Sequence, residues 1–149
     1  MNESAVDDTS LRARIYRHFA DHGTAPTAAQ LSGWAGTEAG AAAALRRLHD
    51  SHALVLDIDT QRIRMALPFS AIPTSLIVRS EEQRWFANCA WDALAIPAAL
   101  GIDASIDAAW LDDDSPVDLG IIDGTPSRTD GFVHFMIPAR HWWDDIVET

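Results

Sequence analysis

The stretch WFANCAWDALAIPAALG, residues 85–101, decides how the second half of the chain is interpreted. Just upstream of it, Ser80 and Gln83 have the spacing of a capping box, which predicts a helix that starts at Glu81. Within that helix, residues at positions i, i+1, i+4 and i+5 form a predicted inward-facing stripe, made of Trp85, Phe86, Cys89 and Ala90. We expect Pro97 to interrupt the helix and Gly101 to end it.

The same stretch contains the only cysteine of the chain, Cys89, and an acid three residues later, Asp92. Residues three apart on a helix lie on one face, so these two side chains can act on the same small volume. A thiolate is a soft nucleophile and a soft-metal ligand. A carboxyl group whose pKa is raised by burial can accept or deliver a proton. The spacing leaves two interpretations open: a thiol–acid site, or a small and inert core residue at Cys89.

The first half of the chain follows the order of a winged helix-turn-helix. A disordered lead is predicted at residues 1–9. Three helical patterns follow, each with a cap or stop residue: Leu11 to Gly23, a helix from Thr27, and a helix from Thr37 to about residue 51. Two short apolar runs, residues 53–58 and 62–67, then predict a wing hairpin. The segment is close to neutral and its third helix has few long side chains, which disfavours nucleic-acid binding.

The second half contains short strands and helices. Residues 68–75 form a proline-containing linker that leads into a predicted strand, Leu76–Arg79. Further strands are predicted at residues 104–111, 116–122 and 131–137, and a last helix begins at Pro138. The third of these strands is apolar on both faces, which is typical of a central strand. Together the patterns predict an α+β protein with two parts: a winged-helix-like module of three helices and a wing hairpin at residues 10–66, and a small core of mixed or antiparallel strands with helices at residues 67–149.

The composition of the chain indicates where in the cell the protein is expected and which partners are disfavoured. No run approaches 18 apolar residues and the first ten residues are acidic and polar, so we expect neither a membrane span nor a secretory signal. A single cysteine gives no intramolecular disulfide, and we expect a cytoplasmic protein. The formal charge is −11, with fourteen acids against four arginines in residues 67–149. This excess of acids opposes binding to nucleic acid or anionic membranes. We expect no bound cofactor.

Three blocks of the sequence resemble the organomercurial (alkylmercury) lyase family. They are LHDSHALVLDIDTQRIRMALPFSAIPTSLIV at residues 48–78, WFANCAWDALAIPAALG at residues 85–101, and VHFMIPARHWWDDI at residues 133–146. The resemblance covers roughly residues 10–149 in the same order. Its most specific piece is Cys-Ala-x-Asp-x-Leu, which stands here from Cys89 to Leu94.

The resemblance implies protonolysis of a carbon–mercury bond. In the family one cysteine binds mercury as a thiolate, a second cysteine completes the soft coordination, and an aspartate carries the proton to the leaving carbon. By the motif, Cys89 is the first cysteine and the mercury ligand, and Asp92 is the acid. The second cysteine is absent, because Asp130 or Gly131 occupies its place. A carboxylate is a hard ligand and a poor substitute for a thiolate on mercury.

Three functions stay open from the sequence. The first is a lyase-like enzyme whose Cys89–Asp92 pair cleaves or rearranges another organometal or an apolar organic molecule. The second is an organomercurial lyase or mercury binder, and the third is a ligand-binding or regulatory protein that kept only the fold. The partner in each is a small molecule. Its pocket is predicted from Phe86, Trp91, Asp130 and His134, with Trp85 and Phe135 as further aromatic walls. His134 is predicted on an internal strand, as a proton shuttle or a core histidine.

Overall fold

The computed structural model describes residues 7–147. Three helices come first, and they are α1 (Asp8–His22), α2 (Ala28–Ala35) and α3 (Glu38–Asp50). Five short strands follow, and they are β1 (Val55–Leu56), β2 (Ile63–Ala66), β3 (Phe69–Ser70), β4 (Ile77–Arg79) and β5 (Arg84–Ala87). The remaining elements are α4 (Ala90–Leu100), β6 (Ala104–Ala109), β7 (Pro116–Ile122), β8 (Thr125–Pro126) and a short 3-10 helix (Ala139–Asp144). Helices and an antiparallel sheet confirm the predicted α+β class.

The N-terminal helices begin and end at the predicted cap residues. Thr27 and Gln30 form a complete capping box at α2, and the Thr37 hydroxyl accepts a hydrogen bond from a backbone N–H in the first turn of α3. Gly23 ends α1 in the left-handed region at φ 68°, and its N–H donates to the Phe19 carbonyl. Asp7 caps α1, so the helix starts inside the predicted lead, of which residues 1–6 lie outside the described residues.

One eight-stranded antiparallel sheet runs across the predicted boundary between residues 66 and 67. The strand order is β1-β2-β3-β5-β4-β6-β7-β8. The two segments predicted as a hairpin form the antiparallel strands β1 and β2, and β2 pairs onward with β3 through Met65 and Ser70. The predicted linker thus contains a strand of its own. It leads into β4, which lies one residue later than the predicted start at Leu76.

Helices and strands of both halves share one core. Buried side chains from the four α-helices and from the sheet form one hydrophobic cluster. A row of facing residues, Trp85, Val78 and Ile106, crosses β5, β4 and β6 on the buried face of the sheet. From α1, the Phe19 ring stacks on Phe69 at 5.5 Å between centroids. No helix among residues 7–147 is long and apolar enough to span a membrane.

The predicted helix start at Glu81 is wrong, because this segment is the β4–β5 hairpin. The Ser80 N–H donates to the Gln83 carbonyl at 2.8 Å, and the Ser80 hydroxyl accepts from the Gln83 N–H at 3.1 Å. A serine two or three residues before a free N–H makes the same hydrogen bond in a turn as at a helix N-terminus. Trp85 and Phe86 are therefore strand residues on opposite faces of the sheet, and the predicted inward stripe does not form.

The predicted central strand at residues 131–137 is also wrong. Residues 131–138 have no regular secondary structure, and Phe132 is 99% exposed. The alternation of apolar residues satisfied the pattern of a strand, but no neighbouring strand pairs with it. The predicted last helix is reduced to the 3-10 helix, with Pro138 at its N-cap position. His134 is consequently exposed, rather than on an internal strand.

Candidate active site

Cys89 lies at the N-cap of α4 rather than inside a helix. Its backbone is extended, with φ −147° and ψ 175°, and its carbonyl accepts the first helical hydrogen bond from Ala93. The sulfur atom accepts a hydrogen bond from the backbone N–H of Asp92, with 3.5 Å between Sγ and N. N-cap and N3 residues are neighbours in space, so Cys89 and Asp92 meet as predicted, although the helix begins later than predicted.

The Asp92 carboxyl group is buried beside the thiol. Asp92 is 8% exposed, and the amide Nδ2 of Asn88 donates to its Oδ2 at 3.1 Å. Burial raises the pKa of Asp92 above its ordinary value, although hydrogen bonds from Asn88 and Cys89 act in the opposite direction. Burial also raises the pKa of the half-buried Cys89 thiol, and the charge of Asp92 adds to this effect. Both groups therefore hold a proton more firmly than in water, and a proton can pass between them.

Helix α4, which carries the Cys89–Asp92 pair at its N-terminus, packs on the sheet. Ala93, Ile96 and Pro97 are buried, and α4 contacts strands β4, β5, β6 and β7. The predicted interruption at Pro97 is wrong, because the helix continues through it to Leu100. The predicted stop at Gly101 is confirmed, since this glycine adopts φ 66° and donates its N–H to the Pro97 carbonyl. The rigid helix fixes the backbone that carries the thiol and the acid.

Three aromatic rings from distant parts of the chain meet beside the first turn of α4. Trp91 is 58% exposed and lies edge-on to Phe135, at 6.5 Å between ring centroids. Phe135 in turn lies 5.2 Å from the Trp142 ring, whose Nε1 donates to the Ile137 carbonyl at 2.9 Å. We call Trp91, Phe135 and Trp142 the aromatic cluster. It holds the C-terminal segment against Trp91 in the first turn of α4 and forms a half-exposed apolar surface there.

Of the predicted pocket residues, the structure brings only Trp91 and Phe135 together. Trp85 is a core residue, 3% exposed, whose Nε1 donates to the Phe19 carbonyl at 2.9 Å. Phe86 lies on β5 with the Arg84 guanidinium 5.8 Å from its ring centre. The exposed His134 makes none of the contacts that were predicted for it.

Asp130, predicted at the place of the second cysteine, is engaged elsewhere. Its two carboxylate oxygens accept from the Arg128 guanidinium at 2.8 Å each. This pairing lowers the pKa of Asp130 to about 2, so the exposed carboxylate is ionised at neutral pH. At Gly131, a Cβ atom would come within 3.2 Å of the Trp110 ring, so the backbone there has little room for a side chain. Within residues 7–147, no group of three or more His, Cys, Asp or Glu side chains is arranged to hold a metal ion.

The sequence reasoning missed Asn88. The signal was present, since a polar amide stands between the buried end of β5 and the cysteine, where an apolar strand pattern breaks off. It was hidden by the wrong assignment of a continuous helix through residues 81–101.

Comparison with known proteins identifies the family. The model of the family described as "MerB: Alkylmercury lyase" matches residues 69–149, more than half of the chain. A solved structure, the mercury-bound form of MerB2, is similar at a TM-score of 0.65 and 24% identity over 83% of this chain. The chain spans 59% of the length of that protein. No curated protein matches this sequence. The family match includes Cys89, Asp92 and the C-terminal segment, and this chain therefore belongs to the alkylmercury lyase family.

Proposed function

We propose that this protein cleaves the carbon–mercury bond of organomercurials by protonolysis, with Cys89 as the mercury ligand and Asp92 as the proton carrier. The observation that carries the proposal is the half-buried thiol beside a buried carboxyl group at the start of α4, inside the segment matched by the family. A buried carboxyl with a raised pKa beside a cysteine costs stability, which is typical of a site used for chemistry.

The first step is binding. The substrate is R–Hg–X, where R is the organic group and X is a displaceable anion. The Cys89 thiol passes its proton to the Asp92 carboxylate, and the resulting thiolate forms a sulfur–mercury bond while X leaves as an anion. Mercury binding favours this transfer, because a soft metal binds the thiolate and not the thiol. The product of the step is R–Hg–S(Cys89) beside a protonated Asp92.

The second step is cleavage. The carboxyl proton of Asp92 moves to the carbon bound to mercury, the carbon–mercury electron pair forms the new C–H bond, and RH leaves. Mercury(II) stays on the Cys89 sulfur, and Asp92 is again a carboxylate. Burial assists this step because it raises the pKa of Asp92, so that the carboxyl group keeps the proton taken from Cys89 until the carbon accepts it.

A second soft ligand must come from outside the chain. Cys89 is its only cysteine, and the Asp130 carboxylate is hard and paired with Arg128. We propose that a small external thiolate binds mercury before cleavage, so that the product leaves as a Cys89–Hg–thiolate species or is passed to further thiol. The cytoplasm, the location expected from the sequence, is a thiol-rich compartment.

The organic group of the substrate has an apolar surface available. The aromatic cluster lies beside the first turn of α4, and Trp91 and Phe135 keep part of their rings exposed. We propose that apolar groups R contact these rings while mercury is held at Cys89. Binding through mercury needs no additional cofactor.

One observation favours a second function. The lone thiol would still bind mercury without a partner, because its proton can also pass to solvent and the sulfur–mercury bond itself does not include Asp92. A protein that only binds mercury or an organomercurial at Cys89 is therefore the competing function.

A single-turnover experiment separates the two. Purified protein is incubated with phenylmercury and an excess of a small thiol, and the benzene released is measured together with the mercury retained per chain. We expect about one equivalent of benzene from wild type, none above background from Cys89→Ser, and about 10²- to 10⁴-fold slower release from Asp92→Asn with mercury still bound. Mercury retention at Cys89 without benzene would refute cleavage and establish binding alone. Equal release from wild type and Asp92→Asn would exclude Asp92 as the proton carrier.

A further inference from the structure

Asn88 connects the acid to the sheet. It lies between the last residue of β5 and the N-cap Cys89, and its side chain is half-buried. Its amide Nδ2 donates to Asp92 Oδ2 at 3.1 Å and to the Pro68 carbonyl at 3.4 Å. Pro68 directly precedes β3, which pairs with β5 at Phe69 and Ala87. A single amide nitrogen carries two hydrogens, so both of them have an acceptor here.

We propose that Asn88 is a positioning residue: its amide holds one oxygen of the Asp92 carboxylate and turns the other toward the thiol of Cys89. This inference rests on the proposed function, since it assigns the step at which the orientation matters. The terminal torsion of an aspartate is broad and nearly two-fold, so an unheld carboxylate samples many orientations. An amide that is itself fixed to the Pro68 carbonyl restricts that rotation.

Other groups near the acid do not supply this orientation. The backbone N–H of Asn88 also donates a hydrogen bond to the carboxylate. Any residue other than proline at this position could make that bond, so it does not depend on the asparagine side chain. The strands beneath α4 carry their charges on the opposite, solvent-facing side of the sheet: Arg79, Arg84, Asp107 and Asp118. On the aromatic cluster side, the histidines next to the cluster in sequence are His134 and His141, and both are exposed.

The geometry predicts that loss of the Asn88 amide affects mercury binding and the rate of proton transfer differently. Mercury binds through Cys89, whose sulfur is held by the backbone N–H of Asp92 and not by Asn88. Loss of the amide should therefore leave mercury binding intact and slow only the proton transfer. Removal of a residue that orients a reacting side chain in a metal site changes activity by about 10- to 100-fold.

The test compares Asn88→Ala with a matched control, Thr74→Val. The Thr74 hydroxyl donates to the Ala87 carbonyl at 2.7 Å, so the control also removes a side-chain bond to the same strand end but has no contact with Asp92. We expect one mercury per chain for both variants. We expect benzene release from bound phenylmercury to slow about 10- to 100-fold in Asn88→Ala and to stay within twofold of wild type in Thr74→Val. Equal release by wild type and Asn88→Ala would overturn the proposal.

A readout without mercury keeps the inference separate from the proposed function. The side-chain amide protons of Asn88 are assigned by NMR through their loss in Asn88→Ala. Asp92→Asn replaces the charged acceptor with a neutral one, which makes a weaker hydrogen bond, so one Asn88 amide proton should move upfield. If wild type releases no benzene while this shift is present, the proposed reaction fails and the orientation of Asp92 by Asn88 stands. An unmoved resonance would overturn the positioning role. Should Asn88→Ala fail to fold, Asn88→Leu, which is close to asparagine in shape and has no hydrogen-bond donor in its side chain, replaces it in both measurements.

Discussion

Replacement of Trp85 by phenylalanine tests whether the N-terminal helices and the Cys89-bearing sheet fold as one unit. Trp85 is 3% exposed on β5, and its Nε1 donates to the carbonyls of Phe19 at 2.9 Å and Ala20 at 3.2 Å, near the end of α1. This bond joins elements more than sixty residues apart, on either side of the predicted domain boundary. Trp85→Phe keeps a ring in the core but removes the donor.

The expected loss of stability in Trp85→Phe has two contributions. A lost intramolecular hydrogen bond costs about 1 kcal/mol, and more if a buried carbonyl is left without a donor. The Phe19 carbonyl keeps the Gly23 N–H at 2.8 Å, so this contribution stays near the lower value. The missing part of the indole leaves a small cavity, for which about 2 kcal/mol is appropriate at a site that can relax partly. The expected loss is about 3 kcal/mol in the free energy of unfolding, or about 6–12 °C in Tm.

The assay is urea denaturation followed by far-UV circular dichroism and by tryptophan fluorescence. Trp91→Phe is the matched control, because Trp91 is 58% exposed and the same change there should cost no more than about 0.5 kcal/mol. We expect coincident transitions by both probes, since the four α-helices share one core. A loss below about 1 kcal/mol in Trp85→Phe, or a separate early melting of helical signal, would refute the reasoning that one core joins the two halves.

Three further predictions concern the backbone, the acid and the ion pair. Gly23→Ala should destabilise the fold more than Gly36→Ala in thermal melts, because both glycines have positive φ but only at Gly23 would a Cβ overlap a backbone oxygen, that of Arg84. Since the folded pKa of Asp92 is raised, its stabilising contribution is complete below the ordinary value of 3.8 and is lost as pH rises through the folded pKa. Urea titrations of wild type and Asp92→Asn should therefore show the variant gaining relative stability from pH 4 to pH 8, and a pH-independent difference would contradict the raised pKa. Asp130→Asn should leave benzene release within twofold of wild type, whereas a large loss would give this exposed carboxylate a role in catalysis.

Local sequence signals predicted the three N-terminal helices and the proximity of Cys89 to Asp92. They failed where the same local pattern is compatible with two different structures. The caps at Thr27 and Thr37 and the stop at Gly23 act within a few residues, so they could be read directly. The spacing of Ser80 and Gln83 does not distinguish a helix N-terminus from a hairpin turn, because the same side-chain-to-backbone hydrogen bond forms in both. In the structure, burial alternates along this segment, with Trp85 and Ala87 buried on one face of the strand, whereas the sequence is apolar at three consecutive positions and shows no such alternation.

Contacts between segments that are distant along the chain could not be predicted from the sequence. Alternating apolar residues at 131–137 predicted a strand, but whether a strand forms depends on a partner that no local pattern specifies. The approach of Phe135 to Trp91 likewise depends on the path of the whole C-terminal segment, which is also held where the Trp143 ring stacks on His52 at 4.0 Å. The Cys89–Asp92 pair was predicted despite the wrong helix start, because a spacing of three brings residues together both inside a helix and at its N-cap.

The burial of Asp92 is the strongest argument that the site performs proton transfer. A carboxyl group at the third position of a helix would be well placed in water, where the positive end of the helix favours its charge. Here burial outweighs that benefit and raises its pKa, so the ionised acid weakens the fold. A protein that only captured mercury at Cys89 would gain nothing from this cost, because thiolate binding needs no buried acid. An acid that is destabilised as a carboxylate and lies against a thiol is, by contrast, suited to accept the thiol proton and to give it up to a leaving carbon.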